Sequence, residues 1–358
     1  MEFAIKKAGY GILVLFGVVT VIFCLFTILP GDPAEIILGQ RAGKDALAAV
    51  HRDLGTDRPL GEQYLNYLND LSPVSIHDQR NNRSFWYLDP SKYDWTPLAE
   101  LGASHVLVLK YPYLRRSYIT KRNVADIIRE TLPETAVLAV TAMIIASFAG
   151  VLLGVLTAVK KDSWIDRMVF VLATVFGMSA PSFLVGLVIA WLFGYVLSGW
   201  TGLSPSGSLY EYDVWEGEKL NLANLILPAV TLGIRPLSIV IQLTRSSMLD
   251  VLSQDFIRTA RAKGLRNRTV IFRHALRNAL NPVVTAISGW FAALMAGAVF
   301  VEKIFNWKGI GNEVVEALNN NDLPVVMGAT MVFACIFVLI NLLVDIAYGL
   351  LDPRVRLK

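Results

Sequence analysis

Cysteine is nearly missing. The only two, Cys24 and Cys335, both fall inside long apolar runs, so neither a disulfide framework nor a thiolate metal cluster is implied. Histidine is as scarce. His51, His77 and His105 share one polar stretch without metal-ligand spacing, and His274 stands among arginines that repel a cation, so no metal site is expected. Charged residues make up 17% of the chain, against about 25% in an ordinary soluble domain. The net charge of +4 is too small to argue for nucleic acid as a partner. There is no Gly-x-x-x-x-Gly-Lys-Ser/Thr cradle, which excludes nucleotide binding of that kind, and no cofactor is expected on the chain itself. No low-complexity tract appears, nor a convincing internal repeat of the kind many secondary transporters carry.

Apolar residues are abundant, at 54% of the chain, and the mean hydropathy is +0.50. A helix rising about 1.5 Å per residue needs about 20 mostly apolar residues to cross the roughly 30 Å hydrocarbon layer. Residues 9–30, 134–158, 167–197, 222–244, 283–302 and 324–350 each supply such a run. The expected fold class is therefore an all-α membrane protein of about six transmembrane helices. The basic opening followed by an apolar run resembles a secretory signal, but the run is too long and no small-residue cleavage site follows, so it is read as a retained first helix.

Basic residues set the orientation. Lys6 and Lys7 precede the first run, Lys160, Lys161 and Arg167 lie between the second and third, and Arg354, Arg356 and Lys358 close the chain. The segment 246–281 carries Arg258, Arg261, Lys263, Arg266, Arg268, Arg273 and Arg277. By the positive-inside rule these segments and both termini are cytoplasmic, and the loop 31–133 is external. That loop has its own basic cluster at Lys110, Arg115, Arg116, Lys121 and Arg122, which long loops tolerate on the far side.

Three regions follow: 1–30, an N-terminal segment with the first transmembrane helix; 31–133, the external loop; and 134–358, a core of five transmembrane helices. In the loop, residues 45–71 show helical spacing broken at Asp57-Arg58-Pro59. The stretch 72–93 is polar and turn-rich but interleaves Phe85, Trp86 and Tyr87, which serve either as a docking surface or as cover for the loop's own core and the headgroup layer. Residues 198–221 read as a short external loop, and Asn306 to Gly311 as a tight turn leading into a short interfacial helix over 312–318.

The segment 246–281 is polar and basic, yet helical in pattern. Its spacing predicts one helix over 247–263, with Phe256, Ile257 and Ala260 on one face, stopped by Gly264 in a left-handed conformation. Asn267 is placed as the cap of a second helix over 268–280, and Asn281-Pro282 marks entry to the fifth span. Two short helices meeting at a bend and joined to spans on both sides make a lever. The plainer alternative is an ordinary loop whose arginines meet anionic headgroups.

The run Asp255-Phe256-Ile257-Arg258-Thr259-Ala260-Arg261-Ala262-Lys263-Gly264-Leu265, continued by Phe272 to Pro282, resembles the loop of binding-protein-dependent ABC importer permeases. It is most similar to the B-type subunit of dipeptide and oligopeptide permeases. Leu29 to Pro33, Leu54 to Leu60, Thr244 to Met248 and Leu351 to Arg356 resemble the same family, so the likeness covers most of the chain. It implies a type I ABC importer permease fold in a bacterial plasma membrane, with 255–265 as the coupling helix region that docks on an ATPase. It further implies a sister permease, two ATPase subunits that use ATP and Mg, an external substrate-binding protein, and a di- or oligopeptide as cargo. The general importer pattern places an acidic residue and two alanines before the glycine and a proline after it. Here Arg258, Thr259, Ala260 and Arg277 stand there, as in the peptide branch. The segment 72–108 is longer than the family usually has.

Charges inside the spans are candidates for the translocation pathway, because a lone charge at mid-bilayer costs at least about 2.5 kcal/mol. Arg235, next to Pro236, lies about 18 Å along its span, with Asp345 and Glu302 as possible counter-charges. It faces either the pathway or a neighbouring helix. Ser179 and Pro181 lie in a small-residue, kinked segment that suits a gate or plain packing. Three rival readings remain: an ion-coupled secondary transporter, which needs more intramembrane carboxylates and two related halves; a membrane-embedded enzyme, which needs a cluster of reactive groups; and the same ABC architecture moving nickel or haem.

Overall fold

The computed structural model describes residues 2–351 apart from 29–32, 39–42, 82, 83, 85, 91, 103, 214 and 216. Its chain divides into two compact units, one of residues 1–7, 131–315 and 336–358, the other of residues 8–130 and 316–335. Among the described residues four helices are long and apolar enough to cross a membrane, or up to six spans when each of two bent helix pairs counts as one.

The second unit takes in α1 (Glu2–Ile28) from residue 8 on, followed by α2 (Pro33–Leu38), α3 (Lys44–Leu54) and α4 (Leu60–Leu71). The separation of α3 from α4 falls at the Asp57-Arg58-Pro59 break expected from the sequence. Val19, Ile22 and Phe23 of α1 pack on Tyr67 of α4 and on Met327, and Thr20 and Tyr64 share a hydrogen bond of 2.6 Å.

Strands were not expected between 72 and 110, yet β1 (Val74–Asp78), β2 (Trp95–Leu101) and β3 (His105–Lys110) form an antiparallel sheet in the order β1-β3-β2. Val74 faces Leu109 and Asp78 faces His105, with a bulge at Pro97/Ala99 on the β2 side. The cause is the alternation of Val106, Val108 and Lys110, a period of two that buries one face against Leu88 and Tyr93. Beneath that face Asp70 accepts a 2.6 Å hydrogen bond from the Tyr93 hydroxyl, and Lys110 Nζ sits 3.9 Å from the Tyr93 ring centre. Trp86 is 37% exposed; Phe85 lies outside the described residues.

The first unit is mainly helical, and the helices Val124–Val159 and Leu323–Leu351 enter it from the second unit at residues 131 and 336. α5 (Val124–Val159) leads to α6 (Trp164–Leu172), which continues in wide π-type turns to Ser179. α7 (Ser182–Ile189) likewise continues to Val196, and the two halves of this third span are bent by 114° at their join. Pro181, lacking an N–H and with ψ of 134°, accounts for the break. α8 (Ser198–Thr201) and the hairpin of β4 (Tyr210–Asp213) and β5 (Gly217–Leu220) precede α9 (Ala223–Leu252), which runs a further two turns beyond the span expected at 222–244. After it come α10 (Asp255–Ala262), α11 (Asn267–Thr269), a π-type stretch Val270–Ala275, α12 (Leu276–Gly297), α13 (Val299–Phe305), α14 (Ile310–Asn319) and α15 (Leu323–Leu351).

α5 and α9 approach closely through Gly150 and Gly154. A Cβ at Gly150 would stand 2.6 Å from Val240 Cγ1, and one at Gly154 would stand 2.5 Å from Thr244 Cβ. Small residues four apart let membrane helices gain backbone-level packing where no hydrophobic effect draws them together. The main core of this unit gathers Leu138, Ala142, Leu232, Val301, Phe305 and Trp307.

Candidate functional site: the bend at 246–281

The helix expected over 247–263 is divided in the structure. Residues 247–252 complete α9, and the chain turns at Ser253 and Gln254 before α10 begins. Gln254 is extended at φ −75° and ψ 152° and supplies no side-chain cap, while Asp255 puts a negative charge on the positive end of α10. Arg261 in the last turn complements the other end.

The eight residues of α10 divide cleanly. Ile257 is 0% exposed and Ala260 7%, packed among Val155, Ala158, Met248, Val251, Val270 and Ile271. The remaining members of the motif, Asp255, Phe256, Arg258, Thr259, Arg261, Ala262, Lys263, Gly264 and Leu265, are exposed. Phe256, expected beside Ile257, thus sits on the outward face. Arg258 Nη1 stands 3.4 Å from Asp255 Oδ1, with both side chains open to solvent, a pair worth a few tenths of a kcal/mol.

Gly264 ends the element as the sequence implied. Its φ is +76°, its N–H donates to the Arg261 carbonyl at 3.0 Å, and Leu265 N–H donates to the Ala260 carbonyl at 3.4 Å. These bonds use carbonyls left free at a helix end, and only glycine adopts that backbone without a Cβ penalty.

Two expectations for the second arm are corrected. Asn267 is the first helical residue of α11 and not a cap, and the flanking Arg266 makes no side-chain capping bond. From Asn267 the chain is helical through the π-type turns and Pro282 to Gly297, so no break marks entry to the fifth span. Ala279 and Val283, 1% and 0% exposed, hold the helix through the proline, tertiary packing outweighing local propensity.

A contact the sequence did not reveal lies beside the bend. Arg245 Nε and Nη2 donate to Asp166 Oδ1 and Oδ2, each at 2.7 Å. Asp166 also accepts from the Asp162 N–H at 3.0 Å, and its own N–H is capped by Ser163 Oγ at 3.3 Å. Ser163-x-x-Asp166 is a legible helix start; its pairing with a residue 79 positions away is not.

The other candidates separate. Glu302 is 0% exposed; one carboxylate oxygen accepts from Thr135 Oγ1 at 2.7 Å and the other from Asn312 N–H at 3.0 Å. Thr135 Oγ1 also receives the Ile310 N–H at 3.0 Å, and Gly309 leaves no room for a side chain beside the carboxylate. Arg235 is exposed on α9 and has no ion pair or hydrogen bond among the described residues. Ser179 and Pro181 are exposed at the join of the third span, and a small crevice there is lined by Phe176, Ala180, Ser182 and Arg235. Asp345 lies on α15, with its side chain outside the described residues. Among the described residues no group of His, Cys, Asp and Glu is placed to hold a metal.

Comparison with known proteins adds an independent line. Residues 150–357 match the family model described as "Binding-protein-dependent transport system inner membrane component", and residues 1–81 match its N-terminal companion. The chain is 36% identical over 373 residues to the di/tripeptide transport system permease protein DppB of Pseudomonas aeruginosa, covering 99% of each. It is 35% identical over 376 residues to the dipeptide transport system permease protein DppB of Alkalihalophilus pseudofirmus, again 99% of each. Against the glutathione transport system permease protein GsiC of Escherichia coli O6:H1 the identity is 33% over 358 residues, 100% of both chains.

Proposed function

Since the chain belongs to the binding-protein-dependent transport system inner membrane component family, we propose that α10 is the element through which a separate ATPase drives it, and that the cargo is a di- or oligopeptide. The protein is a multi-pass permease subunit of an ABC importer in a bacterial inner membrane. It hydrolyses no nucleotide itself: ATP and Mg belong to two partner ATPase subunits, an external binding protein delivers the peptide, and a sister permease completes the route. Both termini and the 246–281 bend then face the cytoplasm, and the sheet of residues 74–110 faces outward.

One observation carries this reading. Ile257 and Ala260 are the buried side chains by which α10 packs on the membrane helices, while its basic outward face is exposed. A push on that face reaches α5, α9 and the start of α12 through one shared core. Glu302, sealed in its hydrogen-bonded cage, fastens the 306–312 turn and leaves the pathway to residues of the exposed face.

The test is reconstitution of the two permeases and two ATPase subunits in vesicles, with the binding protein added. Arg261→Glu and Gly264→Pro should remain in the membrane and lower peptide uptake at least about tenfold, with hydrolysis no longer raised by loaded binding protein. Normal uptake and normal stimulation in both variants would show that the ATPase docks elsewhere.

A further inference from the structure

Arg235 sits well inside α9, about 18 Å from its start and 25 Å from its end at 1.5 Å per residue. It is exposed, and no ion pair or hydrogen bond satisfies it among the described residues. A bare guanidinium at that depth is not stable against lipid. Beside it, Ala180 and Pro181 are both extended, with ψ of 137° and 134°, and Ser179, Pro181 and Ser182 are exposed. Non-helical backbone at membrane depth is tolerated only where protein buries it or where it lines a water-filled cavity. Charge and backbone therefore exclude lipid from the same spot for separate reasons.

The outward face of α9 continues this character. Gln242 and Ser246, two and three turns on from Arg235, are half-buried and exposed respectively. Across the crevice Arg235 is joined by Ser182, with Phe176 and Ala180 as apolar walls. This is one fixed cation, with five N–H donors in a planar fork, set at the edge of a narrow crevice.

Resting on the peptide-import reading, we propose that Arg235 receives the C-terminal carboxylate of the peptide in transit. The carboxylate is the one anionic group that every unmodified peptide carries, whatever its side chains, and it matches the guanidinium fork in shape and charge. Reading that group alone selects for a free C-terminus and leaves the side chains unread, which suits a carrier of varied peptides. The chemistry is binding only, and no bond is made or broken.

The experiment uses the complete importer in vesicles and one labelled peptide in two forms, free acid and C-terminal amide. Uptake of each is measured in wild type, Arg235→Gln and Arg235→Lys, with assembly checked by co-purification of all subunits. The binding protein is the same throughout, so its own preference cancels when acid-to-amide ratios are compared. Arg235→Gln should lower the ratio by about tenfold, the loss expected when a charge-assisted hydrogen bond is removed, and Arg235→Lys should keep part of it. An unchanged ratio in an assembled Arg235→Gln importer overturns the proposal, as does failure of that variant to assemble while Arg235→Lys assembles with a wild-type ratio, which would mark Arg235 as an ion-pair partner of the sister subunit. Absence of uptake of either form by the wild type would instead sink the peptide-import reading itself.

Discussion

Arg245 and Asp166 meet in a two-pronged ion pair, Nε to Oδ1 and Nη2 to Oδ2, each 2.7 Å long. The pair clamps the first turn of α6 to the last third of α9, a few residues before the chain turns into α10. Its Asp166 side chain is 5% exposed and its Arg245 side chain 25%, so water screens it only in part. Removing one partner leaves the other charge with little solvation, a cost of about 3 kcal/mol. Arg245→Met should lower the midpoint of thermal unfolding in detergent more than the Asp166→Asn/Arg245→Met double variant does relative to Asp166→Asn alone. Additive losses would mean that the two residues do not act together.

The Gly154 contact predicts a different kind of damage. Gly154→Val would drive methyl groups into Thr244 and into the Ile241 carbonyl, where even a Cβ would stand 2.9 Å from the oxygen. Overpacking of that kind costs about 1–3 kcal/mol. Gly154→Ala should cost less than Gly154→Val, and pairing it with Thr244→Gly, which removes the Thr244 Cβ itself, should recover part of the remaining clash. Equal stability of Gly154→Val and wild type in a thermal-shift measurement would contradict the close approach of α5 and α9.

Glu302 makes a third case. Glu302→Leu removes the acceptor for Thr135 Oγ1 and for the Asn312 N–H while leaving both buried, at about 1–3 kcal/mol for each donor left unmet. Glu302→Gln keeps an acceptor and should be milder. Hydrogen exchange over residues 306–319 should quicken in Glu302→Leu, and protection as in the wild type would show that the cage does not depend on this side chain.

The sheet cluster predicts a pH response. His77 is 1% exposed, and burial first, then the charge of Lys110, lowers its pKa from 6.5 to about 4. Burial likewise lowers Lys110 to about 8 against the opposing pull of Asp70, and burial raises Asp70. Because folded His77 holds its proton less tightly than unfolded His77, its contribution is complete above about pH 6.5 and is lost as the pH falls toward about 4. The loss is at most about 3 kcal/mol. Exchange protection of residues 74–110, corrected for the intrinsic pH dependence, should fall across that window, and less so in His77→Gln. A flat profile between pH 7 and 4 would refute the assignment.

Much of this was legible in the chain itself, and the misses have physical causes. Six apolar runs mark the spans because lipid leaves a helix few alternatives, and Gly264 could be named because a left-handed stop admits few other residues. The α3–α4 division at Asp57-Arg58-Pro59 was equally local. What escaped depended on partners far away in sequence. The pairing of β1 with β3 joins residues more than 25 apart, and the turn-rich composition of 72–93 hid the two-residue period in 106–110. Gly150-x-x-x-Gly154 was available as a pattern, but only Val240 and Thr244 on α9 give it meaning. Asp166 with Arg245, and the cage around Glu302, are tertiary facts that no local spacing encodes. The break at Ser253-Gln254 lay inside a continuous helical pattern, so periodicity carried the first arm across it.

The division of α10 into two inward anchors and an open outer face has a consequence for how such machines diversify. If an ATPase docks on α10 as proposed, fold and recognition are written in different letters of the same short word. Exchange of the outward side chains for those of another permease, with Ile257, Ala260 and Gly264 kept, should change which motor the membrane part recruits without unsettling the helices behind it. A lineage could thus refit one channel to a new engine in a handful of substitutions.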